Sequence, residues 1–154
     1  MRLTKQTNYA LRLMMYCALN DKALSRVPDI ARAYAISEPF MFKILQGLVA
    51  AGLVDTVRGR SGGIRLSRPA KDITVLDVVR TTEESFSMAE CFDDDEADCP
   101  LIDSCALNAT LREALNAFFE VLARYTIADL VASKVEIAQR LGLETATMLE
   151  TADA

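Results

Sequence analysis

Apolar residues recur at three- and four-residue steps over positions 3–19, where Tyr9, Leu13 and Tyr16 run beside Ala10, Met14 and Cys17. That period predicts a first helix with a broad apolar face. Residues 28–34 predict a short second helix, because Pro28 suits a first turn and Ile30, Ala33 and Tyr34 share a side. Ala35 and Ile36 then turn the chain. Ser37 stands where an N-cap belongs, with Glu38 and Pro39 in the first turn of a third helix. That helix runs to Ala51, burying Phe40, Ile44, Leu45 and Leu48, and Gly52 closes it at C′.

The rhythm then changes. Residues 53–57, Leu-Val-Asp-Thr-Val, read as a strand, residues 58–63 as a flexible tip and residues 64–67 as a returning strand. Gly59, Gly62 and Gly63 allow a tight reversal, and Arg58, Arg60, Arg65 and Arg68 give the hairpin a cationic surface. Helix, short helix, turn, helix and two-stranded basic hairpin is the order of a winged helix-turn-helix. The predicted fold is therefore mainly α with a small two-stranded β wing.

In such a fold the third helix enters the major groove with its N-terminal residues toward base edges. Ser37, Glu38, Phe40, Met41 and Lys43 are the candidates there. Arg58, Arg60, Ser61, Gly62 and Arg65 are the wing candidates for phosphates or an adjacent minor groove. Charge agrees with this. Residues 1–72 hold 12 Lys/Arg against 5 Asp/Glu, whereas residues 73–154 hold 5 against 17, within a net charge of −5. A basic half gains counterion release on a polyanion, while the acidic half would be repelled by it.

Composition narrows the chemistry. The 154 residues are 51% apolar, enough for a buried core. No apolar run approaches a membrane span, and Arg12 interrupts the N-terminal stretch, so the expectation is a cytoplasmic protein without a signal peptide. The sequence has no histidine, which removes Ser-His-Asp and Cys-His catalysis and His-ligated zinc together. No nucleotide loop or evident general base remains, so an enzyme with a small-molecule substrate is not expected.

Four cysteines remain, Cys17, Cys91, Cys99 and Cys105. Cys17 falls on the apolar face of the first helix and reads as a small core residue. The other three lie in AECFDDDEADCPLIDSCAL, a stretch of little periodicity that carries the acidic run Asp93 to Glu96. Their spacing lacks a CxxC pair. Metal or cluster binding, redox-active thiols and inert cysteines all fit it, in that order of preference. Beyond Cys105, Leu111, Leu115, Phe118, Leu122 and Tyr125 alternate by four and three residues, a heptad-like row suited to dimerisation or to core packing. The expected division is a DNA-binding unit over 1–72, a connecting helix and cysteine loop over 73–103, a dimerisation helix and C-terminal helix over 104–141, and a disordered tail over 142–154.

MRLTKQTNYALR at the start, ISEPFMFKILQGLVAAGLVDTVRGRSGGIRLSRP in the middle and the three later cysteines resemble the Rrf-type family of bacterial iron–sulfur transcription regulators. The likeness covers residues 1–130, is most specific in AGLVxxVRGRSGGIxL, and is greatest toward the family's rhizobial iron regulators. It implies a homodimer on palindromic double-stranded operator DNA and an iron–sulfur cluster held by Cys91, Cys99 and Cys105, [4Fe–4S] ahead of [2Fe–2S]. It further implies iron-dependent repression of iron-uptake genes. Nitric oxide or oxidant sensing, and a cluster-independent thiol sensor, are the alternatives. Some similar regulators take a fourth ligand from a partner's aspartate. The matching position here is Asn8, a neutral amide and a poorer ligand, which leaves the fourth ligand open.

Overall fold

The computed structural model describes residues 2–89, Phe92 and residues 105–143. Cys91, Cys99, the acidic run and residues 144–154 lie outside the described residues, as does most of the stretch expected to form the cysteine loop.

Helix α1 spans Lys5–Leu19, and its first turn is closed by Thr4, whose side chain accepts from the Thr7 amide at 3.2 Å. The face predicted from periodicity is the buried one: Ala10, Leu13, Met14 and Cys17 all lie in the core. Burial pushes the Cys17 thiol up to about 12, only partly offset by a hydrogen bond with Ser25. Cys17 is therefore a neutral packing residue.

Helix α2 (Val27–Ala33) carries Pro28 in its first turn, where the missing amide hydrogen is not needed. It ends at Tyr34, and Ala35 adopts φ 52°, an uncommon left-handed conformation for a residue with a Cβ. Arg12 of α1 lies over the rings of Tyr9 and Tyr34 at 5.2 and 5.5 Å, and the Tyr34 hydroxyl donates to the Arg12 carbonyl at 3.1 Å. These contacts tie α1 to the end of α2.

Helix α3 (Glu38–Ala50) starts at Ser37 as expected, but the Ser37 side chain makes no capping hydrogen bond. The second helical position is Pro39, which has no amide hydrogen to donate, so a main acceptor role of the cap is lost. At the other end the chain closes in a Schellman motif. Gly52 has φ 68°, its amide donates to the Val49 carbonyl at 3.0 Å, and the Leu53 amide donates to the Leu48 carbonyl at 2.9 Å.

Strands β1 (Val54–Val57) and β2 (Gly63–Leu66) pair antiparallel, with Asp55 opposite Arg65 and Thr56 opposite Ile64. Ile64 also exchanges both backbone hydrogen bonds with Ser25, at 2.9 and 2.8 Å, which fastens the hairpin to the entrance of α2. Gly63 is required there: a Cβ would stand 2.6 Å from the Ser25 carbonyl oxygen.

A short 3-10 turn (Ala70–Asp72) leads into α4 (Val75–Thr82), which begins with a reciprocal capping box between Thr74 and Asp77. After the cysteine stretch come α5 (Ala106–Arg124), α6 (Ile127–Leu130) and α7 (Lys134–Arg140). The chain leaves α5 through an extended Tyr125, whose carbonyl accepts from the Val75 amide at 2.8 Å, and the Ile127 amide donates to the Ile73 carbonyl at 2.9 Å. Tyr125 therefore does not continue the helical row expected for α5, because its backbone is drawn into this pairing. The same pairing returns α6 to α1. Ile73, Val78, Ile127 and Val131 lie in one core with Leu13, Met14, Ile44 and Leu48.

Helix α5 differs from the rest. None of its residues is buried; Leu111, Leu115, Phe118 and Leu122 are half covered, and Leu107 and Val121 are exposed. Its contact with the body runs through Phe119, which meets the edge of Phe86 at 4.9 Å and lies under the Arg80 guanidinium at 5.2 Å.

The end of α4 is latched to the start of α1. Glu83 accepts from the Thr4 amide at 2.7 Å and from the Thr7 hydroxyl, while Thr82 Oγ1 lies 2.8 Å from Thr7 Oγ1. Partial burial raises the Glu83 carboxyl, but the hydrogen bonds from Thr7 and Thr4 outweigh it and hold the group below its ordinary value of 4.5. A depressed carboxyl contributes stability that is present above the unfolded value and lost as pH falls through the folded one. Glu83→Gln should therefore lower the urea midpoint at about pH 7, with the gap to the parent chain closing as pH falls below the ordinary carboxylate range. Ile127→Ala should remove roughly 2–5 kcal/mol from the unfolding free energy, because α6 belongs to the same cooperative core as α1.

Candidate nucleic-acid interface and cysteine centre

Helix α3 buries Met41, Ile44, Leu45 and Leu48 on one side, so the opposite side is what a groove can meet. Lys43 is exposed on it, and Ser37 and Glu38 are exposed at the N-terminal end of the helix. Ser37 gains importance from its failed cap, since its hydroxyl makes no hydrogen bond within the described residues and is open to a phosphate or base. Phe40 is half-buried and spends its ring edge-on against Tyr9, with centroids 6.0 Å apart. Met41 is 0% exposed and must be removed from the base-contacting set. It sits one helical turn before Leu45 on the inward stripe, where no side chain reaches a groove.

The exposed side also presents residues that spacing alone did not single out. Phe42 and Gln46 face outward, and Gln46 lies three residues from Lys43, one turn along the same surface. Their signal in the sequence was available as the complement of the apolar period, but Phe42 was masked by its hydrophobicity.

On the wing, Arg58, Arg60 and Ser61 are exposed at the tip. Gly62 is also a steric necessity: a Cβ there would strike the Val57 carbonyl oxygen, and its amide donates to the Gly59 carbonyl at 3.0 Å. Arg65 is exposed and 3.8 Å from Asp55 across the strands, a loose solvent-facing pair that a phosphate can displace. Arg68 serves the fold instead. Its guanidinium donates to the Asp72 carbonyl at 3.0 Å and lies 3.3 Å from Asp77. Arg26, at the N-cap of α2, reaches the Arg60 carbonyl at 3.4 Å, so a fourth cation joins Arg58, Arg60 and Arg65 around the tip.

Of the three candidate cysteine ligands, Cys105 is the one that lies among the described residues. It is half-buried at the N-cap of α5, and its sulfur accepts from the Asn108 amide at 3.4 Å. An N–H donor and the positive end of a helix suit a metal-bound thiolate, so this position fits the soft-ligand chemistry of an iron–sulfur centre. Phe92, the sequence neighbour of Cys91, lies under the Arg112 guanidinium at 4.8 Å, and Arg112 in turn donates to the Asn108 side chain at 2.8 Å. The chain next to Cys91 is thus held to the first two turns of the helix that Cys105 caps. Among the described residues no helix is long and apolar enough to cross a membrane.

Cations that sit on phosphates act alike on every sequence. Arg58→Ala and Arg60→Ala should each weaken binding to specific and nonspecific duplexes by a similar factor. Each should also reduce the slope of log K against log salt by about 1 in fluorescence-anisotropy titrations.

Comparison with known proteins agrees with this geometry. Residues 3–133 match the Rrf2 family, described as iron-dependent transcriptional regulators. The chain is 64% identical over its full length to protein aau3 of Rhizobium meliloti, whose full length is likewise covered. It is 40% identical to the HTH-type transcriptional regulator NsrR of Bacillus subtilis, over 94% of this chain and 99% of that one. Among solved structures, T. potens IscR superposes with a TM-score of 0.71 at 25% identity, covering 89% of this chain and 90% of its own. The fold is accordingly that of winged-helix regulators, mostly helical with one two-stranded antiparallel sheet. The chain belongs to the Rrf2 family of transcriptional regulators, which bind DNA as dimers and are not enzymes.

Proposed function

We propose that this protein is an iron-responsive repressor of iron-uptake genes, whose grip on its operator follows the state of an iron–sulfur centre at Cys91, Cys99 and Cys105. The observation that carries the reading is the position of Cys105: it caps α5, whose apolar row is only half covered among the described residues. The family description as iron-dependent regulators supports it.

The three thiolates are the ligand set, and a cluster bound there, [4Fe–4S] before [2Fe–2S], would supply iron–sulfur bonds sensitive to iron supply and oxidants. The remaining work belongs to the chain. Leu111, Leu115, Phe118 and Leu122 of α5 form the face that meets the same face of a second copy, with Tyr125 at its end. Phe119 and Arg80 join α5 to α4, and α4 shares the core of α1 and α3. Fixing the first turn of α5 through Cys105 therefore biases the spacing of two α3 helices and two wings on half-sites about one helical turn apart. By role, residues 1–72 read DNA, residues 73–103 carry the sensing loop and residues 104–141 pair the two copies.

The test compares operator affinity of anaerobic cluster-loaded and cluster-free protein, with native mass spectrometry recording iron and sulfide. The loaded form should bind about tenfold or more tightly. Cys105→Ala should lose the iron and sulfide mass and bind as the cluster-free form does. Equal affinities in the two forms would reject iron-responsive switching and leave the DNA-binding assignment standing.

A further inference from the structure

Phe42 meets no aromatic ring and no guanidinium among the described residues. Among the described residues it is the one exposed phenylalanine, at 46%. The other five all have a ring or guanidinium partner: Phe40 has Tyr9, Phe86, Phe118 and Phe119 meet one another, and Phe92 lies under Arg112. It stands in the first half of α3, between the buried Met41 and the exposed Lys43. Leaving a phenyl ring half in water forgoes hydrophobic stabilisation that a polar residue at the same site would not lose. An exposed apolar ring in the first half of a reading helix, two turns before the less exposed Val49, has one natural complement in a duplex. The thymine 5-methyl is the sole apolar group that a base pair offers on the major-groove floor.

We propose that Phe42 is a specificity-determining residue that packs against a thymine methyl in each operator half-site. This rests on α3 entering the major groove, and it adds a base identity to that placement. Lys43 and Gln46 flank the ring with polar groups. They hold the helix on phosphates and base edges, while Phe42 excludes water from the methyl. The chemistry discriminates thymine from cytosine, which lacks the methyl and carries an amino donor the ring cannot satisfy.

The experiment starts from duplexes selected out of a random library by the full-length dimer. Each thymine of the selected site is then replaced singly by deoxyuridine, which removes the methyl and keeps the base-pair hydrogen bonds. One thymine per half-site should show roughly a three- to fivefold loss of affinity on this replacement, the size expected for one buried methyl. With Phe42→Ala the same replacement should change nothing, while Phe42→Leu should restore part of the difference. The salt dependence should be the same for all three proteins, since the cations are untouched. Thermal unfolding of the Phe42 variants should stay close to the parent, as the ring has no aromatic or cationic partner and is nearly half exposed.

If no thymine responds to deoxyuridine, or if Phe42→Ala responds as strongly as the parent, the assignment of Phe42 is overturned and major-groove docking survives. If no duplex is selected at all, the docking itself fails and Phe42 with it. Equal selection by cluster-loaded and cluster-free protein bears only on the iron-responsive reading.

Discussion

One shared core decides how this protein can work. Leu13 and Met14 of α1 pack in a single buried cluster with Ile44 and Leu48 of α3, Val78 of α4, and Ile127 and Val131 from beyond α5. The winged-helix elements and the segment after α4 could have been separate bodies joined by a linker. Here the polypeptide returns after α5, and the backbone pairing of Ile73 with Ile127 and of Val75 with Tyr125 closes the loop between them. Close-packed interiors transmit displacement instead of absorbing it. A change at the base of α5 therefore has a mechanical route to α3 that does not pass through solvent.

The surface elements are built on that core with different degrees of commitment. The hairpin is fastened at its base by Ser25 and Ile64 and at its tip by Arg26 and Arg60, so its cations are presented on a braced frame. Some charges that look equivalent in one dimension are not. Arg65 is loosely paired with Asp55, whereas Arg68 is spent on Asp72 and Asp77 at the start of α4. Helix α5 stands at the other extreme, with an apolar row that this chain alone leaves half covered. Burial of such a row by a second copy is the economical solution, and it agrees with a family that binds DNA as dimers.

The two ends of the cysteine-bearing stretch are anchored in chemically distinct ways. On the N-terminal side Glu83 accepts hydrogen bonds from Thr4 and Thr7, coupling the exit of α4 to the first turn of α1. On the C-terminal side Cys105 begins α5, with Phe92 and Arg112 stacked nearby. Asn8 lies one residue after Thr7 on that same first turn, so the Glu83 latch also fixes the turn that carries it.

Local rules carried in the sequence determined most of the elements. The three-and-four spacing marked the buried face of α1, Gly52 marked the end of α3, and the glycine- and arginine-rich run marked the hairpin, because each depends on residues within a turn or two. The family likeness was legible in the same stretch. What tertiary structure alone decided was the fate of residues whose partners are distant in the chain. Met41 is drawn inward although it neighbours exposed Phe42 and Lys43, and Arg68 is claimed by Asp77. Tyr125 leaves its helix to pair with Val75. Periodicity reports which side of a helix is apolar, but three-dimensional packing settles which apolar side chain is needed inside and which, like Phe42, is left facing out.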